Sequence, residues 1–415
     1  MALNSPPASP SAPAFDLERA RRDTPGAERV AHLNNAGAAL PPTQVTEAVI
    51  AHLRREAELG GYEAADAAAD QVEHTYAAIA RLIGARADEI AVVENATRAW
   101  DMAFYGLTFA PGDRILTARA EYASNVIAFL QVARRTGAVV EVVENDDTGQ
   151  VSVSDLRRRL SDRTAPVKLV AITHVPTQGG LVNPAEEIGA ATKEAGVPFL
   201  LDACQSVGQL PVDVGRIGCD LLSATGRKFL RGPRGTGFLY VRRDFLDQLE
   251  PPFLDLHAAT WTSSDTYEVR PDARRFENWE TNYAAKIGLG VAVDYALTWG
   301  MDAIETRVTG LADRLRDLLT DVDGVRVHDQ GVRRCGIVTF TLDGVPAQEV
   351  GRRLREHGVN VSVSLVDHAR LDLPHRGLPD LVRASVHYYN TDDELDQLIR
   401  ALPLPGGNGR AQPAP

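Results

Sequence analysis

Cysteine and lysine are the scarce residues of this 415-residue chain. Its three cysteines, Cys204, Cys219 and Cys335, are widely spaced and form no C-x-x-C pair. They support neither a disulfide framework nor a zinc site, so a reducing, cytoplasmic setting is expected and no metal centre is indicated. Only Lys168, Lys193, Lys228 and Lys286 carry an amine, so chemistry needing an amine nucleophile has few candidates. No apolar run approaches the roughly 18 residues of a membrane span. The start, MALNSPPASPSAPAFDLE, has neither the basic nor the apolar region of a secretory signal. Positive charge is also in deficit, with 44 basic against 56 acidic residues and a net charge of −12. That argues against a nucleic-acid or anionic-membrane surface. Neither G-x-x-x-x-G-K-[ST] nor G-x-G-x-x-G occurs, which makes nucleotide binding a poor reading.

What is present is alternation. Short apolar runs at 89–95, 114–119, 138–144, 167–175, 197–203, 221–225 and 236–242 predict strands, and amphipathic stretches at 97–107, 124–136, 153–161 and 185–195 predict helices between them. This pattern means a mostly parallel sheet covered by helices on both faces, an α/β class. From about 281 a long helical stretch breaks near Gly300. GIVTFTL, VNVSVS and LVRASVHYY then predict strands, with helices near 347–357 and 392–402. The expected organisation is an N-terminal tail and arm (1–30), a large α/β domain with seven strands (31–280), a linker helix with a smaller C-terminal α+β domain (281–403), and a loose Pro/Gly-rich tail (404–415). A cleft is expected at the C-terminal ends of the parallel strands.

Three local features carry chemistry. Lys228, in SATGRKFLRGPRGTGF, lies between two apolar runs, near the sheet or in a surface loop. Asp202 ends the run 197–203, where an acid serves as a metal ligand, a helix cap or the partner of a cationic heterocycle. Asn95, Ala96 and Thr97 stand between a strand and a helix, where free amides suit a phosphate or make an ordinary capping turn.

In combination they are more specific. The order of helix start, strand-end aspartate and lysine, with HLNNAGAALPP, ENATRAW, EYASNV, THVPTQGGLVNP, LDACQSVGQ, TGRKFLRGPRGTGFLYV, RFENWETN and RASVHYYNT, resembles the class V aminotransferase and cysteine-desulfurase superfamily over about 30–402. The resemblance implies a fold-type I enzyme dependent on pyridoxal 5'-phosphate (PLP), acting on a small amino-acid substrate as a homodimer with shared sites. It implies that Lys228 holds the coenzyme as an imine and acts as the base at Cα, and that Asp202 sits against the pyridine nitrogen. Gln205 and Thr177 fall near the ring's 3-oxygen. Ala96, Thr97, Thr225 and Arg227 fall around the phosphate, with Thr281 or Asn282 added from the partner subunit. Tyr122 occupies the position where relatives stack a histidine, and tyrosine stacks but is a poor acid–base group at neutral pH. Arg383 matches the arginine that grips the substrate carboxylate as a fork. Asn35 is expected near that carboxylate, and Arg370 in a loop bordering the substrate.

Fold does not settle the reaction. Desulfurases of this type carry a thiol on a loop just before the RAS block, and 361–382 here has no cysteine. Each cysteine reads as a small structural hydrophobe. Tyr122, Arg227, FENWETN and the thiol-free loop look like actinobacterial carbon–sulfur lyases, a group that includes enzymes of ergothioneine and lincosamide antibiotic biosynthesis. The reading is β-elimination from a cysteine S-conjugate or its sulfoxide. Decarboxylation-coupled oxidative deamination of such a conjugate is the alternative, then transamination or epimerisation. His174 reads as a packed strand-end histidine.

Overall fold

The computed structural model describes residues 15–403. The loose tails expected at 1–14 and 404–415 lie outside the described residues.

Two long helices, α1 (Thr43–Leu59) and α2 (Ala69–Ile83), and three short ones precede the sheet, whose strands are Ile90–Val93 (β1), Arg114–Thr117 (β2), Val139–Val142 (β3), Val167–Thr173 (β4), Phe199–Asp202 (β5), Leu221–Thr225 (β6) and Gly237–Val241 (β7). All seven expected runs form strands, in the order β1-β7-β6-β5-β4-β2-β3. Strands β2 to β6 pair in parallel, whereas β7 runs antiparallel to both neighbours. The parallel connections are spanned by α4 (Ala123–Thr136), α5 (Val153–Ser161) and α6 (Ala185–Ala195), and α3 (Ala96–Tyr105) joins β1 to β2. The central strands read as continuous apolar runs because both faces are covered. Successive side chains enter opposite cores: Phe199 and Leu201 pack with Ile172 and Leu222, and Leu200 packs with Leu169 and Leu221.

Beyond the sheet an exposed hairpin, β8 (Ala259–Ser263) and β9 (Thr266–Val269), leads to α7 (Tyr283–Trp299) and α8 (Met301–Thr320). The helix break falls at Gly300, whose φ of +79° suits a residue without a Cβ. Helix α7 is apolar on most of its circumference because α1 and α2 pack against it. A four-stranded antiparallel sheet follows, β10 (Val325–Val327), β11 (Ile337–Leu342), β12 (Ser362–Ser364) and β13 (Leu381–Ser385), ordered β10-β11-β13-β12. It carries α9 (Ala347–Glu356) and α10 (Asp392–Ala401).

Two expected strands are split. In VNVSVS, Val359–Asn360 pairs with Ala31–His32, and after Val361 only Ser362–Ser364 joins β13. LVRASVHYY ends as a strand at Ser385, and His387, Tyr388 and Tyr389 turn inward around Arg231. That arginine is fully buried. It donates to Leu40 O (2.8 Å) and Tyr388 Oη (2.7 Å) and lies 4.6 Å from the centre of the Tyr389 ring. With φ of +62° it is the one non-glycine residue in the left-handed region among the described residues. These contacts fix the chain three residues after Lys228.

Candidate active site

At the C-terminal ends of β4, β5 and β6 lies a partly open cavity. The start of α3 closes one side of it. Asn95 caps that helix, its side chain accepting from Arg98 N (2.9 Å), so the amides of Ala96 and Thr97 have no acceptor one turn back. Gly237 lets β7 pass beneath this turn. A Cβ there would meet Asn95 C at 2.6 Å and Ala96 N at 2.8 Å.

Lys228 reaches the cavity from the turn after β6, and it is 9% exposed. Burial pulls its amine below the usual lysine value, and the positive charges of Arg227 and Arg383 act in the same direction. The other lysines are elsewhere. Lys286 pairs with the buried Glu277 (3.1 Å), Lys193 is exposed, and Lys168 sits at the far end of β4. Asp202 ends β5, with Oδ1 accepting from Cys204 N (2.9 Å) and Oδ2 accepting from Asn125 Nδ2 (3.0 Å). The ring of Tyr122 faces Lys228, its centre 6.0 Å from Nζ. Gln205 donates from Nε2 to Thr177 Oγ1 and Ala36 O (both 3.1 Å), while its Oε1 is buried without a partner. Thr177 Oγ1 also accepts from Arg383 Nη1 (2.5 Å), linking the expected ring contacts to the expected carboxylate site. Thr225 and Arg227 line the same cavity, with Arg227 bonded to Gly37 O.

These residues fit the coenzyme that the sequence suggests. The cavity holds an amine, a carboxylate below it, open helix amides and an unpartnered amide oxygen. Two cations, Lys228 and Arg227, line it against the one carboxylate of Asp202, and a third, Arg383, stands behind Thr177; the three act on one another. Arg383 is buried, donates only to Thr177 and Asn34 among the described residues, and has Nε unpaired; burial and Arg227 push it down to about 10. A dianionic phosphate and a carboxylate would supply the missing negative charge.

Some expected residues stand elsewhere. The amide of Asn35 is used up inside the protein. It donates to Ser385 O (2.7 Å) and His32 O (3.1 Å) and accepts from Tyr389 Oη, and its neighbour Asn34 is the one beside Arg383, at 3.4 Å. Arg370 is exposed and paired with Asp367, because its loop is pinned instead by Leu373 in a small apolar knot with Ala369 and Leu381. Thr281 and Asn282 line a second hollow of about 400 Å³ with Lys286 and Glu94, away from Lys228. His174 is buried, and burial with the Arg333 charge pushes it down to about 3.

The reading of Cys204 needs correction. Cys219 and Cys335 are buried, but Cys204 lines the cavity beside Asp202 and Lys228. Burial and the Asp202 charge hold its thiol well above the usual value. Glu121 and Asn125 were missed as well. The only signal for them was an acid in the short link between a strand and a helix, with an amide four residues on.

The aminotransferase class-V family matches residues 31–398. A protein of Mycobacterium leprae named "Probable cysteine desulfurase 2" is 34% identical over 412 residues, covering 94% of this chain and 96% of its own. The apo cysteine desulfurase of Thermococcus onnurineus NA1 has a TM-score of 0.86 and 28% identity, covering 94% of this chain and 97% of that one. The cystine C–S lyase C-DES shares the fold (TM-score 0.83, 23% identity, 92% and 99% covered), and one of its structures carries glycine covalently linked to the PLP cofactor.

Proposed function

The chain belongs to the class V aminotransferase family and its cofactor is PLP, and from that premise we propose that it is a carbon–sulfur lyase that eliminates the sulfur of a cysteine S-conjugate. The observation that carries this reading is the placement of its thiols. The segment 361–382, where a desulfurase of this family is expected to hold its sulfur acceptor, has no cysteine and is pinned by the buried Leu373. The one thiol in the cavity, Cys204, is held protonated and is bonded through its own backbone amide to Asp202. A protonated thiol is a weak acceptor of sulfur.

When bound, PLP supplies an electron sink for negative charge on the substrate's Cα. Ala96 and Thr97 amides, Thr225 and Arg227 would hold its phosphate, Asp202 its ring nitrogen, Gln205 and Thr177 its ring oxygen, and Tyr122 one ring face. Arg383 binds the substrate carboxylate and so orients the bond from Cα to hydrogen. The Lys228 amine, its basicity lowered by burial, takes that proton at Nζ. The Cβ–S bond then breaks, sulfur leaving with the electron pair, and the three-carbon remainder takes up water to give pyruvate and ammonia. Thr281 and Asn282 line a different hollow, and in this reading they serve the phosphate of a second copy.

The test is product analysis on a cysteine S-conjugate and its sulfoxide. Pyruvate in step with free thiol or sulfenate is expected. Carbon dioxide with an S-linked aldehyde would replace elimination by decarboxylation-coupled deamination, and alanine would restore desulfuration, the activity in the names of the relatives. Borohydride reduction of the yellow protein should attach the coenzyme to the peptide containing Lys228; attachment at any other lysine refutes the site.

A further inference from the structure

We propose that Glu121 is a positioning residue that acts through Asn125 on Asp202, and so sets how strongly the site holds a proton on the coenzyme's ring. The inference rests on the cofactor reading but not on which bond is cut. Glu121 lies between β2 and α4 and is 3% exposed. Its Oε1 accepts from Tyr122 N (2.8 Å), Asn125 Nδ2 (3.0 Å) and the Thr173 hydroxyl, and its Oε2 accepts from Thr173 N and Thr117 Oγ1 (both 3.1 Å). Each oxygen thus faces an N–H that can only donate. An ionised carboxylate satisfies all five bonds as they stand, whereas a proton on either oxygen requires the Thr173 or Thr117 hydroxyl to turn and accept it.

Asn125 is the link. The same Nδ2 donates to Glu121 and to Asp202 Oδ2, both at 3.0 Å. Turning the amide over would set its oxygen against two carboxylates, so its orientation is fixed. Glu121 also holds the backbone of Tyr122 and of Thr173, whose neighbour across the sheet is Asp202. One carboxylate therefore braces the stacking ring, the bridging amide and the strand beside the aspartate.

Asp202 is the charged group facing Glu121. Arg119, two residues earlier, is turned to Glu144 (2.7 Å), and Lys228 lies beyond Asp202 on the cavity side. Burial and the Asp202 charge push Glu121 up to about 7, against the downward pull of its hydrogen bonds. A protonated ring nitrogen against Asp202 would add a positive charge next to this carboxylate pair and favour the ionised form of both.

The experiment reads bound coenzyme rather than turnover. Wild type, Glu121→Gln, Glu121→Asp, Asn125→Ala and the double variant Glu121→Gln/Asn125→Ala are loaded with PLP, and the absorption band is titrated against pH with coenzyme affinity and melting temperature measured alongside. Glu121→Gln is expected to lower the midpoint by about one pH unit, the size of effect a lost buried charge produces, and to weaken PLP binding about tenfold. Glu121→Asp, which keeps the charge, should recover most of both. In the Asn125→Ala background the effect of Glu121→Gln should shrink to less than half. A normal midpoint and affinity in folded Glu121→Gln, or its full effect persisting without Asn125, overturns the proposal. Should Glu121→Gln not accumulate, Asn125→Ala decides: weaker binding with a displaced midpoint supports the link, and wild-type values for both refute it. A wild type that binds no PLP would sink the cofactor reading itself, a different outcome from bound PLP with an unmoved midpoint.

Discussion

Arg383 offers the sharpest test, because its two expected effects have opposite signs. The guanidinium is buried, its hydrogen bonds go to uncharged oxygens of Thr177 and Asn34, and Nε has no partner. In the free protein it is therefore a charge held at a cost, and burial with the nearby Arg227 pushes it down to about 10. A substrate carboxylate would be its first anion. Each hydrogen bond to a charged group is worth about 1.5–3 kcal/mol, so removing a two-bond fork should cost about 3 kcal/mol or more of transition-state stabilisation. Arg383→Met should then lower kcat/KM at least about 100-fold, mostly through KM, and Arg383→Lys, which keeps the charge but not the fork, about 10-fold or more. The same Arg383→Met change removes an uncompensated cation, so the substrate-free protein should melt a degree or two higher. The assay pairs steady-state kinetics on an S-conjugate and on its methyl ester with thermal melting. Wild type should prefer the free acid strongly, and Arg383→Met should treat acid and ester alike. A lower melting temperature together with an unchanged preference for the acid would refute the reasoning, since it would make Arg383 a brace between Thr177 and Asn34.

Two further outcomes follow from buried groups. Cys204→Ala should keep most of the lyase activity and yield no alanine product, because the thiol is held protonated; loss of turnover with retained coenzyme would revive a sulfur-carrying role. His174, pushed down to about 3 against an unfolded value near 6.5, makes the folded state favour the neutral ring. Its contribution is fully present above pH 6.5 and is lost as pH falls toward 3, amounting to about 2 kcal/mol by pH 5. Urea unfolding of His174→Gln should accordingly show a smaller loss between pH 8 and pH 5 than wild type, and an equal loss would refute the assignment.

The large sheet was legible because its strands are covered on both faces. Runs such as LLDA and LLSAT must then be continuously apolar, and alternation with helices leaves one sheet class. The split of VNVSVS was not legible, because its two halves pair with Ala31–His32 and with β13, partners far away in sequence. Lys228 and Asp202 could be singled out because scarce or strand-end residues in a fixed order are informative. Asn34 and Asn35 could not be told apart, since which of two adjacent amides turns inward depends on Ser385 and Tyr389, some 350 residues later. Cys204 was misjudged for a related reason. It lies two residues beyond the buried strand β5, where the C-terminal end of the sheet opens into the cavity.

The order of chemical groups along the chain, one candidate amine, one strand-end acid and one helix start, follows from local residue types and spacing, so the sequence alone determined it. The pairing of Glu121 with Asp202 through one amide, and the isolation of Arg383 from any anion among the described residues, came only with the tertiary structure. Burial and the direction of a side chain depend on what packs against it, and here the packing partners come from strands and turns dozens to hundreds of residues apart.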